Sequence, residues 1–203
     1  MMISLPLLIL ACVLYASGLY GIKRDFVICK HVLSKVVAIP TSFVDLLIIS
    51  EDHRNRWHFG IDPLSIVRVL VKRCYSRGAG GASTIEQQFV RTALGRFEKT
   101  LSRKFREQIL ATLLVCTTPR EIIAKKYLEI AYLGTAKIGI VSFEHIFGCA
   151  ICDFSVDQVI GVLARLKYPE PRILTPDWQR RFDRRCSYIK RQVRKRCQGQ
   201  FLE

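Results

Sequence analysis

The sequence predicts an all-α protein, and three observations carry that prediction. Helix-start signals recur along the chain: Asp62-Pro63, Ser83-Thr84-Ile85-Glu86, Thr118-Pro119-Arg120-Glu121 and Ser155-Val156-Asp157-Gln158. Each joins an oxygen-bearing cap to a proline at the first helical position, or to a Glu or Gln three residues on. After these signals, apolar residues return every three or four positions, the period of a helix face. Runs alternating apolar and polar residues, the mark of a half-buried strand, are scarce, and no internal repeat is visible.

The chain has 203 residues, enough for one domain with a sizeable core. Half of them are apolar, which excludes a disordered chain. The formal charge of +15 points to an anionic partner: nucleic acid, phosphate groups or an acidic membrane surface.

No charged side chain occurs between Met1 and Lys23. Residues 3–22 are long enough, at about 1.5 Å per residue, to cross a hydrocarbon core of about 30 Å. A retained transmembrane anchor over residues 1–22 is expected. A cleaved signal peptide, ending near Ala16-Ser17-Gly18, is the competing reading. Lys23 and Arg24, directly after the run, favour a cytoplasmic side for the C-terminal part of the chain. Residues 23–40 read as a juxtamembrane linker with a short apolar segment at 36–39.

Phe43, Val44, Leu46, Leu47, Ile48 and Ile49 then form an apolar run that ends on Glu51 and Asp52. The two carboxylates either end a helix in solvent or sit where a cleft needs a proton acceptor. Arg54, Arg56, Trp57 and His58 come next, and Gly60 breaks the pattern. From Asp62-Pro63 a helix is predicted with Leu64, Val67, Leu70, Val71 and Cys74 on one face. A glycine-rich turn from Gly78 leads to Ser83, Thr84, Gln87 and Gln88. It has no Walker lysine, but such a turn opening a helix exposes N–H groups that bind anions. Gln87 and Gln88 suit sugars or amides; Ser83 and Glu86 form, on the other reading, only a capping box. Arg103, Lys104 and Glu107 share a helical face, as a surface salt bridge or as a cationic clamp beside a carboxylate. The helix from Thr118 runs through Ile122, Ile123, Tyr127, Leu128 and Ala131 to near Gly134.

The eight cysteines are scattered, and Cys149-x-x-Cys152 is a lone pair, insufficient for a metal site. The segment 176–203 is strongly basic, with Phe182, Cys186, Ile189, Val193 and Cys197 as a narrow apolar stripe. It reads as a solvated helix or as a basic amphipathic helix on anionic lipid. No nucleic-acid recognition module accompanies the charge.

Taken in order, Glu51-Asp52, His58-Phe59-Gly60, the run from Gly80 to Gln88, Arg103 to Glu107 and Tyr127 to Gly134 resemble a known pattern. It is that of the peptidoglycan glycosyltransferase domain of monofunctional transglycosylases and class A penicillin-binding proteins. The resemblance covers about residues 40–171, within a domain placed at 41–175, and Ile146-Phe147-Gly148 and Val162-Leu163-Ala164 continue it. No separate transpeptidase domain fits in the remainder, so the monofunctional type is expected.

The resemblance implies a lysozyme-like helical fold at a bacterial inner membrane, single-pass, with its catalytic domain on the outer, periplasmic side. It implies polymerisation of lipid II onto a growing glycan strand, with inversion and loss of undecaprenyl pyrophosphate. Glu51 is then the general base and Glu107 the second essential carboxylate. Arg91, Arg103 and Lys104 neutralise the pyrophosphate, where a divalent ion, Mg or Mn, is the expected cofactor. Asp52, His58, Gly60, Ser83, Thr84, Gln87 and Gln88 line the substrate cleft. Other cell-wall synthesis proteins are the implied partners. Asn55, Glu86, Lys125 and Glu129 depart from the family pattern, which usually has Phe, a hydroxyl residue, Glu and Asn there. A non-catalytic lipid II-binding relative and a lysozyme-like glycan hydrolase are the alternative functions.

Overall fold

The structure, a computed structural model, describes residues 5–35, 38–75 and 83–199. Among them the regular elements are helices and one short hairpin, as the capping signals and helical periodicity predict. The contacts separate into two units, Met1–Val36 with Arg54–Lys126, and Val37–His53 with Tyr127–Glu203.

In the first unit the apolar N-terminal run does not form the straight span expected of residues 3–22. Helix α1 covers Leu5–Ser17, 13 residues, or about 20 Å at the usual rise. Gly18 and Gly21 adopt left-handed backbone at φ 67°, which ends one helix and redirects the chain. Helix α2, Ile22–Leu33, then takes most of the segment expected as a linker. Its buried residues Ile22, Asp25, Cys29 and Leu33 recur at helical spacing. Among the described residues no single helix is long and apolar enough to cross a membrane; the bent pair, Pro6–Ser17 and Leu19–Leu33 at 107°, passes that test only jointly.

Helix α6, Leu101–Thr117, is the spine of this unit. Helices α1, α2 and α5 (Ile85–Ala93) pack on it. Phe89 and Val90 from α5 meet a core that includes Ile109, Leu110 and Leu114. Asp25 is buried, an expensive place for a lone carboxylate. Arg106 of α6 reaches it at 2.6 Å and Arg96 at 3.3 Å, which ties α2 to α6. Helix α4, Pro63–Tyr75, starts as predicted, with Asp62 Oδ1 accepting from the Ser65 amide at 3.1 Å. Its apolar face is not core, however: Leu64 is 63% exposed, Val67 56% and Val71 50%. Periodicity marks a shared face but not what covers it.

In the second unit, α3 (Thr41–Glu51), α9 (Val156–Lys167) and α10 (Pro176–Cys197) pack together. Phe43 of α3 stacks on Phe154, which meets Phe147 edge-on at 5.0 Å. The Ser155–Gln158 capping box of α9 forms as predicted. Helix α7, Arg120–Ile130, ends before the expected Gly134. A hairpin replaces its last turn, with β1 (Tyr132–Gly134) antiparallel to β2 (Lys137–Ile138). Glu170 holds this corner: its amide donates to Leu133 and its carboxylate takes Lys137 at 2.7 Å and Arg165 at 2.6 Å. Helix α8, Glu144–Phe147, is a single turn. In the apolar stripe of α10, Ile189 is fully buried, Phe182 stacks on Trp178, and Cys197 stays exposed.

Candidate active site

The first unit assembles a cation-rich site on the N-terminal turns of α6. Thr100 caps the helix by accepting from the Arg103 amide at 3.2 Å. The i, i+3 and i, i+4 spacing then places Lys104 and Arg103 on the same carboxylate. Arg103 Nη1 pairs with Glu107 Oε1, and Lys104 Nζ lies 3.3 Å from Glu107 Oε2. Glu107 is buried, at 3% exposure. Lys104 also donates to Ser83 Oγ at 2.9 Å and to Gln87 Oε1 at 2.6 Å. The two cations are thus part of the packed site rather than a freely solvated face. Burial is the largest influence on the Lys104 ammonium and holds its pKa below the ordinary lysine value; Glu107 opposes this, while Arg91 and Arg103 add to it. Two cations pair with one carboxylate, and Arg91 is close enough to act on the Lys104 charge, which leaves a net positive charge suited to an anion.

Ser83, Thr84, Gln87 and Gln88 divide into two groups. Thr84, not Ser83, caps α5 by accepting from the Gln87 amide, which makes Gln87 rather than Glu86 the third helical residue. Thr84 Oγ1 and Gln87 Nε2 both donate to the Gly60 carbonyl, at 2.8 and 3.1 Å. Both residues are buried, so they support the site from behind. Gly60 has φ +74°, and a Cβ there would lie 2.7 Å from the Ala111 backbone. The role of Gly60 is therefore close approach to α6. Gln88 reaches the Ser83 carbonyl at 3.5 Å. Gly78–Ala82, the expected anion loop, lie outside the described residues.

His58 is buried, and its carbonyl accepts from Arg120 Nη2. The expected capping-box role of Glu86 is replaced by an ion pair. Its Oε1 takes Asn55 Nδ2 at 3.0 Å and Arg120 Nη1 at 2.7 Å. The two unusual residues Asn55 and Glu86 therefore contact one another, and Arg120 neutralises the added charge. Lys125, another unusual residue, pairs with Glu121 one turn back at 2.8 Å. Sequence reasoning placed Arg120 only in a helix-start signal and missed its contact with Glu86, 34 residues away, for which no local rule gives a signal.

In the second unit Glu51 is the last residue of α3 and Asp52 its C-cap, with the Asp52 amide donating to Ile48 O at 2.9 Å. Asp52 is buried and Glu51 is partly exposed. Arg185 of α10 donates through Nη2 to the Ser50 carbonyl at 3.0 Å and to Glu51 Oε1. The family model described as transglycosylase matches residues 28–194 of this chain. The chain belongs to the transglycosylase family. Penicillin-binding protein 1A of Aquifex aeolicus is 33% identical over 155 residues, 75% of this chain and 20% of that protein. Penicillin-binding protein 1A of Escherichia coli is 32% identical over 133 residues, 64% of this chain and 16% of that protein. Penicillin-binding protein 1B of Haemophilus influenzae is 32% identical over 136 residues, again 64% of this chain and 17% of that protein. The chain therefore spans about a fifth of the length of these curated relatives.

In this transglycosylase-family chain each Glu107 oxygen faces a cationic donor, Arg103 at Oε1 and Lys104 at Oε2. Cys12, Cys29, Cys116, Cys149, Cys152, Cys186 and Cys197 are free.

Proposed function

We propose that this transglycosylase-family chain is a peptidoglycan glycosyltransferase that polymerises lipid II. The observation that carries the reading is the buried Glu107 held by Arg103 and Lys104, with Lys104 braced by Ser83 and Gln87. A pyrophosphate leaving group gains negative charge as its bond to the sugar breaks. Fixed cations aimed at developing charge lower that barrier without reorganising. A glycan hydrolase has no such leaving group, which disfavours that alternative.

In the proposed reaction the acceptor 4-hydroxyl oxygen attacks the anomeric carbon of the lipid-linked donor. A new glycosidic C–O bond forms on the face opposite the leaving group, and the C–O bond to pyrophosphate breaks. Glu51 takes the hydroxyl proton, and undecaprenyl pyrophosphate departs as an anion facing Arg91, Arg103 and Lys104. Glu107 keeps the two nearest cations in place. Attachment to the outer side of a bacterial inner membrane belongs to the same proposal. It is supported by the apolar surface of the first unit, on α1, on α2 and on the outward face of α4.

The test is incubation of the purified full chain with lipid II and separation of the products by size. Polymer with inverted linkages is expected. Glu51→Gln keeps the size and removes the basicity, and should lower turnover by about 10²-fold or more. Near-native turnover in that variant, or cleavage of glycan by the wild type, would overturn the reading.

A further inference from the structure

We propose that Arg185, on the basic C-terminal helix α10, is a positioning residue that holds the Glu51 carboxylate in its working orientation. The inference rests on the proposed role of Glu51 and concerns a residue outside the motifs that point to that role. Glu51 is the final residue of α3, where the backbone carbonyls have no helical partners. A single guanidinium nitrogen, Arg185 Nη2, joins the Ser50 carbonyl and Glu51 Oε1. It therefore caps the helix end, where a cation is favoured, and ties the last side chain to that cap. The guanidinium lies over the Tyr188 ring at 5.0 Å, which restrains its plane. The Arg185 side chain is only 9% exposed, unlike the surface arginines of the same helix. Its Nε is buried with no hydrogen-bond partner among the described residues. A base displaced by about 1 Å can lose on the order of 10²-fold in rate, so this tether acts on turnover.

The experiment is a double-mutant cycle on the full chain, read by lipid II polymerisation and by carbonyl-carbon NMR of glutamate-labelled protein. The Glu51 signal is assigned as the one missing in Glu51→Gln. Arg185→Gln is expected to lower kcat by about 10-fold or more while KM stays within about twofold, because the residue acts through Glu51 and not on the substrate. In the Glu51→Gln background the same change should cost less than about twofold. Arg185→Lys, which keeps the charge without the fork, should fall between. The Glu51 carboxyl signal should shift or broaden in Arg185→Gln at an unchanged melting temperature. Equal losses in both backgrounds, an unmoved Glu51 signal or undiminished kcat would each overturn the proposal. If Arg185→Gln unfolds, the cycle is read from Arg185→Lys with the same outcomes. A wild type that makes no polymer, with the Glu51 signal still responsive to Arg185, refutes the function but leaves the contact standing.

Discussion

Lys104 shows how one side chain links the parts of the candidate site. It touches Ser83 and Gln87 at the start of α5 and Glu107 on its own helix, joining two stretches of the sequence. Removing it leaves Glu107 short of one cation and Gln87 Oε1 short of its donor. Lys104→Met, which keeps most of the stem packing, is expected to lower polymerisation by at least about 10²-fold, in the range seen when a transition-state donor is removed. Circular dichroism should show unchanged helix content. Turnover within about threefold of wild type would reduce the clamp to a structural ion pair. Glu107, Arg103 and Lys104 were legible in the sequence because their spacing is local. The Asn55–Glu86–Arg120 contact was not, because it joins residues up to 65 positions apart and no local rule couples them.

At the level of elements, two connections depend on backbone geometry that can be tested. Gly60 combines positive φ with a backbone approach to α6 that leaves no space for a methyl group. Gly60→Ala should cost about 1–2 kcal/mol from the left-handed strain alone, and the clash with the Ala111 backbone adds to it, lowering the melting temperature by about 4 °C or more. A melting temperature within about 1 °C of wild type would show that the loop relocates freely. Glu170 braces the hairpin against α9. Burial alone would raise its pKa, but Lys137 and Arg165 outweigh that and hold it below the ordinary glutamate value. A lowered folded pKa means that the stabilisation is fully present above the unfolded value of about 4.3 and is lost as pH falls through the folded value. Urea unfolding at pH 6 should therefore show Glu170→Gln to be less stable than wild type, and the gap should close toward pH 3. A gap of constant size would mean that the charge of Glu170 contributes nothing.

For the molecule as a whole, the apolar surface of α4 is the feature that composition could not locate. Leu64 and Val67 are exposed in the fold, so charges placed there leave packing intact. Leu64→Asp together with Val67→Asp should reduce flotation with vesicles containing anionic lipid by several-fold, with an unchanged melting temperature. Each buried methylene contributes about 0.8 kcal/mol to such partitioning. Equal flotation would remove α4 from the membrane-facing surface. The same scale explains α10. Its net charge suggested a basic tail, but Ile189 of its apolar stripe is buried within its own unit, and Arg185 turns inward to Glu51.

The sequence by itself determined the helical class, the caps at Asp62 and Ser155, the order of the family motifs and the carboxylate–cation spacing on α6. Each of these is set within about one or two helical turns, where periodicity and cap chemistry act directly. Only the tertiary structure decided that the N-terminal apolar run breaks at Gly18, that the α4 face stays open, that Thr84 and Gln87 support Gly60 from within, and that Arg185 meets Glu51. Those outcomes depend on packing and charge pairing between distant segments, where a residue's neighbours are chosen by the fold and not by its place along the chain.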